Sequence, residues 1–384
     1  MSIDEVELVV LDLGLGPIEG SLGVFDRRPV VLVHVVTDEG EGWGECGALD
    51  EAAGGDPAAR TVEQLLETVG IPRLMAVAQN RDGALHPSAV PQLFGSGAPE
   101  RMMAATLEMA VLDAALRVAG VPLSTSIGVT RARVEVGSLA GIPEGRRLDP
   151  LLDAVAVAAA LGSRRLRVKI APGWDVEPLR AIRQRFPDLD LQADANGAYR
   201  LGARTGPIDR DDDARRLELL DDLGLTCIEQ PLPAPDLAAH VELRELIATP
   251  IALDESLASP RHVDQALRYG ACEIACLKPA RLGGVLAARR AHDLCLAAGV
   301  AAFVGGLFET GLARGANAAI AGLPGFTLPG DLSAPASYLS LDPFGYPPVI
   351  DGLVAVRTEP GVGPVPDPEL LASCTVRTRR FAAR

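Results

Sequence analysis

From about residue 133 the sequence settles into a rhythm that few folds can accommodate. Short apolar runs at 133–141, 165–170, 189–194, 225–229, 250–254, 273–278, 300–305 and 325–328 alternate with helical segments at 148–161, 176–186, 210–222, 236–247, 259–269, 284–298 and 311–321. Strands alternating with helices read as parallel βαβ units. Eight strand beginnings over about 200 residues make a (β/α)8 barrel the expected architecture, with its active site where the strands end. The first 130 residues differ. Runs at 5–13 and 30–37 read as strands, DEGEGW (38–43) as a turn, and 58–79 and 100–119 as helices, the last stopped by Gly120 and Pro122. The expected fold class is therefore α/β: a modified, TIM-like barrel (131–335), an α+β capping domain (1–130), and a C-terminal segment (336–384) whose strand-like stretch 343–368 packs back on the cap.

Five successive barrel runs end in charge. Lys169 stands one position before the end of its run, followed by Asp194, Glu229, Asp254 and Lys278, at intervals of 25, 35, 25 and 24 residues. In a barrel these side chains converge on one mouth. Three crowded carboxylates repel, and one of them takes up a proton unless a cation intervenes. Their hard oxygens favour Mg²⁺, which keeps open positions for substrate. The absence of His and Cys from the set argues against zinc. Asn196, two residues past Asp194, stands where it can support the site.

The lysines bracket the acids. They are the only two in a chain whose Lys and Arg together number 36. Codon bias accounts for the scarcity of lysine, though not for the two positions that keep it. A substrate carboxylate among the three acids and the cation would present its α-carbon between two ammonium groups. Arginine stays protonated and cannot serve as a base there. Lysine, ordinarily near ~10.4, becomes a useful base when desolvation and nearby cations lower its pKa. A non-catalytic barrel with a cation-binding mouth is the rival class, and it has no need of two such lysines.

With these residues in place, the sequence resembles the muconate-lactonising branch of the enolase superfamily. The likeness runs through GEGWGEC (40–46), TLEMAVLDAA (106–115), VKIAPGWDVEPLRAIR (168–183), DAN (194–196), IEQPL (228–232), LDES (253–256), LKPARLGG (277–284) and FETGLARGANAAIAGLPGFTLPGDLS (308–333). Within the branch it most resembles the o-succinylbenzoate synthases and the related N-succinylamino acid racemases. The resemblance implies Asp194, Glu229 and Asp254 as ligands of Mg²⁺, with Mn²⁺ as a substitute, and Lys169 and Lys278 as the acid–base pair. It implies a mobile loop over residues 19–25, with Ser21 in it, closing over the substrate. It also implies substrate-binding or supporting roles for Ser138 on the first strand and for Gly305, Gly306 and Glu309 after the seventh. Where the family has Lys-x-Lys, this chain has Arg167-Val168-Lys169, and Arg167 would face the substrate carboxylate. Asp331-Leu332-Ser333 lacks the second acid of the Asp-x-Asp found in dipeptide epimerases, which argues against a free α-amino group on the substrate.

The remaining expectations are mostly exclusions. A net charge of −15 and a pI near 4.9 argue against a nucleic-acid face. No run reaches the ~18 apolar residues of a membrane span. The six cysteines form no Cys-x-x-Cys pair, and the start MSIDEVELVV lacks the basic residues of a signal peptide. The expected setting is cytoplasmic, the partner a small carboxylate, and the assembly, as the resemblance implies, a homo-oligomer.

Overall fold

The computed structural model describes residues 2–20, 23–80, 85–201 and 212–383. Thirteen strands are assigned among them. β1 (Ile3–Gly20), β2 (Gly23–Thr37) and β3 (Glu41–Glu45) form an antiparallel sheet. Both faces of this sheet are covered. On β1, Val6 and Leu8 join a core with the helix Ala59–Leu65, while Val9, Leu11 and Leu13 face the barrel's core. This explains the nearly unbroken apolar run there.

The expected turn is confined to residues 38–40, closed by the Thr37 N–H on the Gly40 carbonyl at 2.8 Å, and from Glu41 the chain is strand. Gly42 and Gly44 lie so close to the helix Ala98–Ala119 that a Cβ on Gly42 would come 2.2 Å from the Ala114 nitrogen, and one on Gly44 would come 2.1 Å from the Thr106 carbonyl. The repeated glycines permit close packing of strand on helix; they do not mark a bend. Within the segment 19–25 the described residues on either side of 21–22 are paired as strands. Ile18, Glu19 and Gly20 pair with Phe25, Val24 and Gly23, and Glu19 accepts the Ile142 N–H at 2.8 Å. Ser21 lies outside the described residues.

β4 (Arg133–Glu135) precedes the barrel. β5 (Gly137–Ala140), β6 (Arg165–Lys169), β7 (Leu191–Asp194), β8 (Ile228–Glu229), β9 (Ile251–Leu253), β10 (Ile274–Leu277) and β11 (Ala301–Val304) form one curled, parallel, seven-stranded sheet in sequence order. The eighth run does not form a strand. It makes single parallel bridges, Ala302 with Phe326 and Val136 with Gly330, and so links β11 back to β5. Helices follow the strands closely to the expected bounds, as at Val176–Arg185, Pro260–Tyr269 and Gly311–Ala321. The acidic segment is shorter than expected, helical over Asp212–Glu218; residues 202–211 lie outside the described set.

The tail contacts residues of the N-terminal region at several points, as where Gly361 bridges Pro122 and the Val362 N–H donates to Asp113 Oδ1 at 2.6 Å. β12 (Leu353–Ala355), the assigned strand within 343–368, pairs antiparallel with β4. The strand that completes the N-terminal sheet is β13 (Thr375–Ala382), paired with β1. No helix among the described residues is long and apolar enough to cross a membrane.

Candidate active site

Strand register puts charged side chains in one row. Lys169 pairs with Asp194 across β6–β7, and Asp194 with Glu229 across β7–β8. Asp254 and Lys278 stand one residue past the ends of β9 and β10. β6 and β10 are separated by three strands in a barrel of eight positions, so the two lysines approach from opposite walls. Both line a cavity of about 650 Å³ at this end of the barrel, together with Ser138, Arg167, Asn196 and Gly306. Ile18 and Phe25 of the hairpin, with Leu49 and Phe308, supply an apolar part of its lining.

The charged groups pair tightly. Lys169 Nζ donates to Asp194 Oδ2 at 2.7 Å and to Asn196 Oδ1 at 2.8 Å, and Asn196 Nδ2 donates to Glu255 Oε1 at 2.9 Å. Lys278 Nζ donates to Asp254 Oδ2 at 2.8 Å, while Arg281 Nη1 donates to the other Asp254 oxygen. Burial works against both charges, yet Arg281 and Lys278 hold the Asp254 carboxyl well below the usual carboxylate range. Burial likewise lowers Lys278, but the Asp254 charge outweighs it and raises the ammonium above its ordinary value. The neighbouring anion therefore favours the charged form of Lys278.

Arg167 lies on Glu229 rather than beside Lys169. Its Nη1 donates to both Glu229 oxygens at 3.0 Å and its Nη2 to Asp331 Oδ2 at 2.6 Å. Gly305 leaves room for Lys278: a Cβ there would lie 2.8 Å from Lys278 Cγ and 2.5 Å from Cys276 Sγ. The Gly306 N–H donates to Asp331 Oδ2 at 3.2 Å. Glu309 is buried behind the cavity wall, accepting the Leu307 N–H at 2.8 Å and the Asn317 amide at 3.1 Å and pairing with Arg314 at 2.9 Å. It shapes the loop after β11 instead of facing the cavity.

The donor set suits a hard divalent cation. Burial, with Asp194, Asp254 and Asp331 nearby, pushes the Glu229 carboxyl up, a penalty that added positive charge would relieve. Glu255 Oε2 is a buried oxygen without a hydrogen-bond partner. Glu229, Asp254 and Cys276 present ligand-type atoms within 4.8 Å of one another. The Cys276 thiol is raised well above its ordinary value by burial and by Asp254 and Glu229, which leaves the carboxylates as the charged donors. Asp194 lies outside that group, turned to Lys169.

Several partners escaped the sequence reading: Arg165, Gln192, Glu255, Arg281 and the role of Asp331. A signal for the first two was present. In RLRVK every second residue is basic, so Arg165, Arg167 and Lys169 share the inward face of one strand, as Gln192 and Asp194 share another.

Comparison with known proteins identifies the family. Residues 5–128 match the family described as mandelate racemase / muconate lactonizing enzyme, N-terminal domain, and residues 151–370 match enolase C-terminal domain-like. The chain belongs to the enolase superfamily. Among superfamily relatives, an N-succinylamino acid racemase of Amycolatopsis sp is 41% identical, the match covering 98% of each chain. An o-succinylbenzoate synthase of Geobacillus kaustophilus is 39% identical over 94% of this chain and 93% of its own. An enolase-superfamily structure from Listeria innocua superposes with a TM-score of 0.89 at 28% identity, covering all of this chain and 99% of that one. Superfamily enzymes of this kind are typically dependent on a divalent metal, which fits the acidic cluster.

Proposed function

We propose that this superfamily member is an o-succinylbenzoate synthase, dehydrating a cyclohexadiene carboxylate that bears a succinyl side chain. The observation that carries the reading is the pair of lysines reaching one cavity from opposite walls of a row of buried acids. In this proposal Asp194, Glu229 and Asp254 hold Mg²⁺, or Mn²⁺ in its place. When bound, the cation supplies positive charge against which a substrate carboxylate can gather extra negative charge.

The protein's own residues do the rest. Lys169 Nζ takes the proton from the α-carbon. The C–O bond then breaks, and the same Nζ returns the proton to the departing hydroxide, which leaves as water. Lys278 stays an ammonium and faces the electron-rich carboxylate; its pairing with Asp254 favours that charged form. Asn196 holds Lys169 in line, and Ser138 and Gly306 line the cavity beside the reacting groups. The proposal carries a cytoplasmic setting, supported by six free, buried cysteines. It also carries a homo-oligomeric assembly, which light scattering on the purified protein would test.

The second reading is racemisation of N-succinylamino acids. It is supported by the 41% identity to the Amycolatopsis racemase and by the placement of the lysines, which can act on opposite faces of an α-carbon. Dehydration needs one base and racemisation needs two. Lys278→Ala, assayed in both reactions, separates them: racemisation is expected to suffer more. Equal residual activity in both would contradict the assigned roles.

A further inference from the structure

Glu229 also belongs to a closed ring of largely buried polar side chains, whose other members the proposed chemistry has not used. Arg165 Nη2 donates to Asp331 Oδ1 at 2.7 Å, and Arg165 Nη1 to Gln192 Oε1 at 2.6 Å. Gln192 Nε2 donates to Glu229 Oε2. Arg167 grips both Glu229 oxygens and returns to Asp331 Oδ2 at 2.6 Å. The circuit Asp331–Arg167–Glu229–Gln192–Arg165 therefore spans β6, β7, β8 and the segment that closes the barrel.

Asp331 is anchored to the backbone on both its main chain and its side chain. Its N–H donates to the Val304 carbonyl at 2.8 Å, beside the Val136–Gly330 bridge, and its carboxylate also takes the Gly306 N–H. Each carboxylate oxygen serves a different guanidinium. Arg165 is seated as firmly. Its guanidinium lies 4.6 Å from the Phe303 ring centroid and occupies the space a side chain on Gly137 would need, since a Cβ there would fall 2.6 Å from Arg165 Nη2. Arg167, by contrast, has a choice of anions. Its Nε is 3.7 Å from Asp194 Oδ2 and has no hydrogen-bond partner. Asp331 draws one amino group of Arg167 away from the acids, leaving Glu229 only part of the guanidinium's charge.

We infer that Asp331 is a positioning residue: through Arg167 on one side, and through Arg165 and Gln192 on the other, it fixes the Glu229 carboxylate in the orientation in which that group takes the cation. This rests on the proposed ligand role of Glu229. It identifies an aspartate that need touch neither cation nor substrate, yet sets the affinity of the site. Groups that orient metal ligands commonly change affinity about 10–100-fold when altered.

The test is Mn²⁺ binding, measured from the electron paramagnetic resonance of the free ion, for the wild-type protein and Asp331→Asn. Asparagine keeps the shape but offers one oxygen and one NH2 group, so either Arg165 or Arg167 loses its acceptor and the hold on Glu229 loosens from that side. The dissociation constant is expected to rise about 10–100-fold, while the melting temperature also falls, since Arg165 and Arg167 are left buried with one anion fewer. A purely structural Asp331 would lower the melting temperature alone, and a folded Asp331→Asn protein with wild-type affinity overturns the inference. Should that variant not fold, Arg165→Met decides: it removes the Gln192 arm alone and is expected to weaken Mn²⁺ binding less but in the same direction, and an unchanged affinity overturns the inference equally. A wild-type protein that binds no Mn²⁺ would overturn the ligand assignment too, whereas wild-type binding with an indifferent Asp331 would overturn only the positioning role.

Discussion

Lys169 donates to Asp194 and Asn196, and Lys278 to Asp254; these two side chains carry the proposed proton transfer. Lys169→Ala should lower kcat for dehydration about 10²–10⁴-fold. Mn²⁺ should still bind, because the acids remain and Asp194 loses a competing cation; Lys169→Arg should not rescue turnover, since arginine stays protonated. Steady-state kinetics and Mn²⁺ titration check both statements. Gly305→Ala tests positioning more gently. Its methyl would press on Lys278 Cγ and Cε from within 3 Å, and a displacement near 1 Å can cost about 10²-fold in rate. Such a loss is expected in protein still folded under assay conditions, although the contact with the buried Cys276 Sγ lowers its stability by about 1–3 kcal/mol. At this scale the sequence exposed the residues that end strands, because charge at the end of an apolar run stands out. It hid those one layer down, where Arg165 and Gln192 look like ordinary strand residues until their inward register is known.

The helices were legible as elements because amphipathic segments of ten or more residues carry a periodic signal and clear stops, as at Gly120 and Gly270, both in the left-handed conformation. The strands were legible in order but less so at their ends: the run 225–229 supplies only Ile228 and Glu229 to the sheet. Two elements were misread for physical reasons. The eighth run is held to its neighbours by bridges at Phe326 and Gly330, so part of its pairing lies beyond the apolar stretch. β3 was hidden by glycines that the helix Ala98–Ala119 requires. Gly44→Ala tests that explanation. Its Cβ would meet backbone at Thr106 and Ala110, which cannot rotate away, so a loss of about 3 kcal/mol is expected by denaturant titration. A neutral result would mean that β3 can lift from the helix freely.

On the scale of the whole molecule, two buried acids tie the N-terminal sheet and its helix to the barrel. Glu45 on β3 accepts from the Thr310 N–H and hydroxyl and from the Ala313 N–H at the start of the helix Gly311–Ala321. Glu108 accepts the Val285 and Leu286 N–H groups at the start of the helix Val285–Ala298. Burial pushes each carboxyl up to about 7, against the hydrogen bonds that lower it. The folded state therefore binds these protons more tightly than the unfolded one, and their contribution to stability falls as pH rises from about 4.5 to about 7, then levels. Glu108→Gln removes one such group, so its stability relative to wild type should improve through that window, by at most about 1.4 kcal/mol per pH unit. Thermal melts at pH 5, 6 and 7 read this out. A pH-independent difference would mean that Glu108 ionises freely in the folded protein.

Both contacts reach helices that follow the ends of β10 and β11, so the hairpin carrying Ile18 and Phe25 is held over the same mouth that carries the lysines. The central claim is that this mouth moves an α-proton between substrate and lysine. It is tested most directly by incubating the protein with Mg²⁺ and succinylated substrates in D₂O and following the α-proton by NMR. Exchange, or dehydration with transfer of that proton, is expected for the wild-type protein and should be lost in Lys169→Ala. A wild-type protein that binds the cation yet exchanges no α-proton on any succinylated substrate would contradict it.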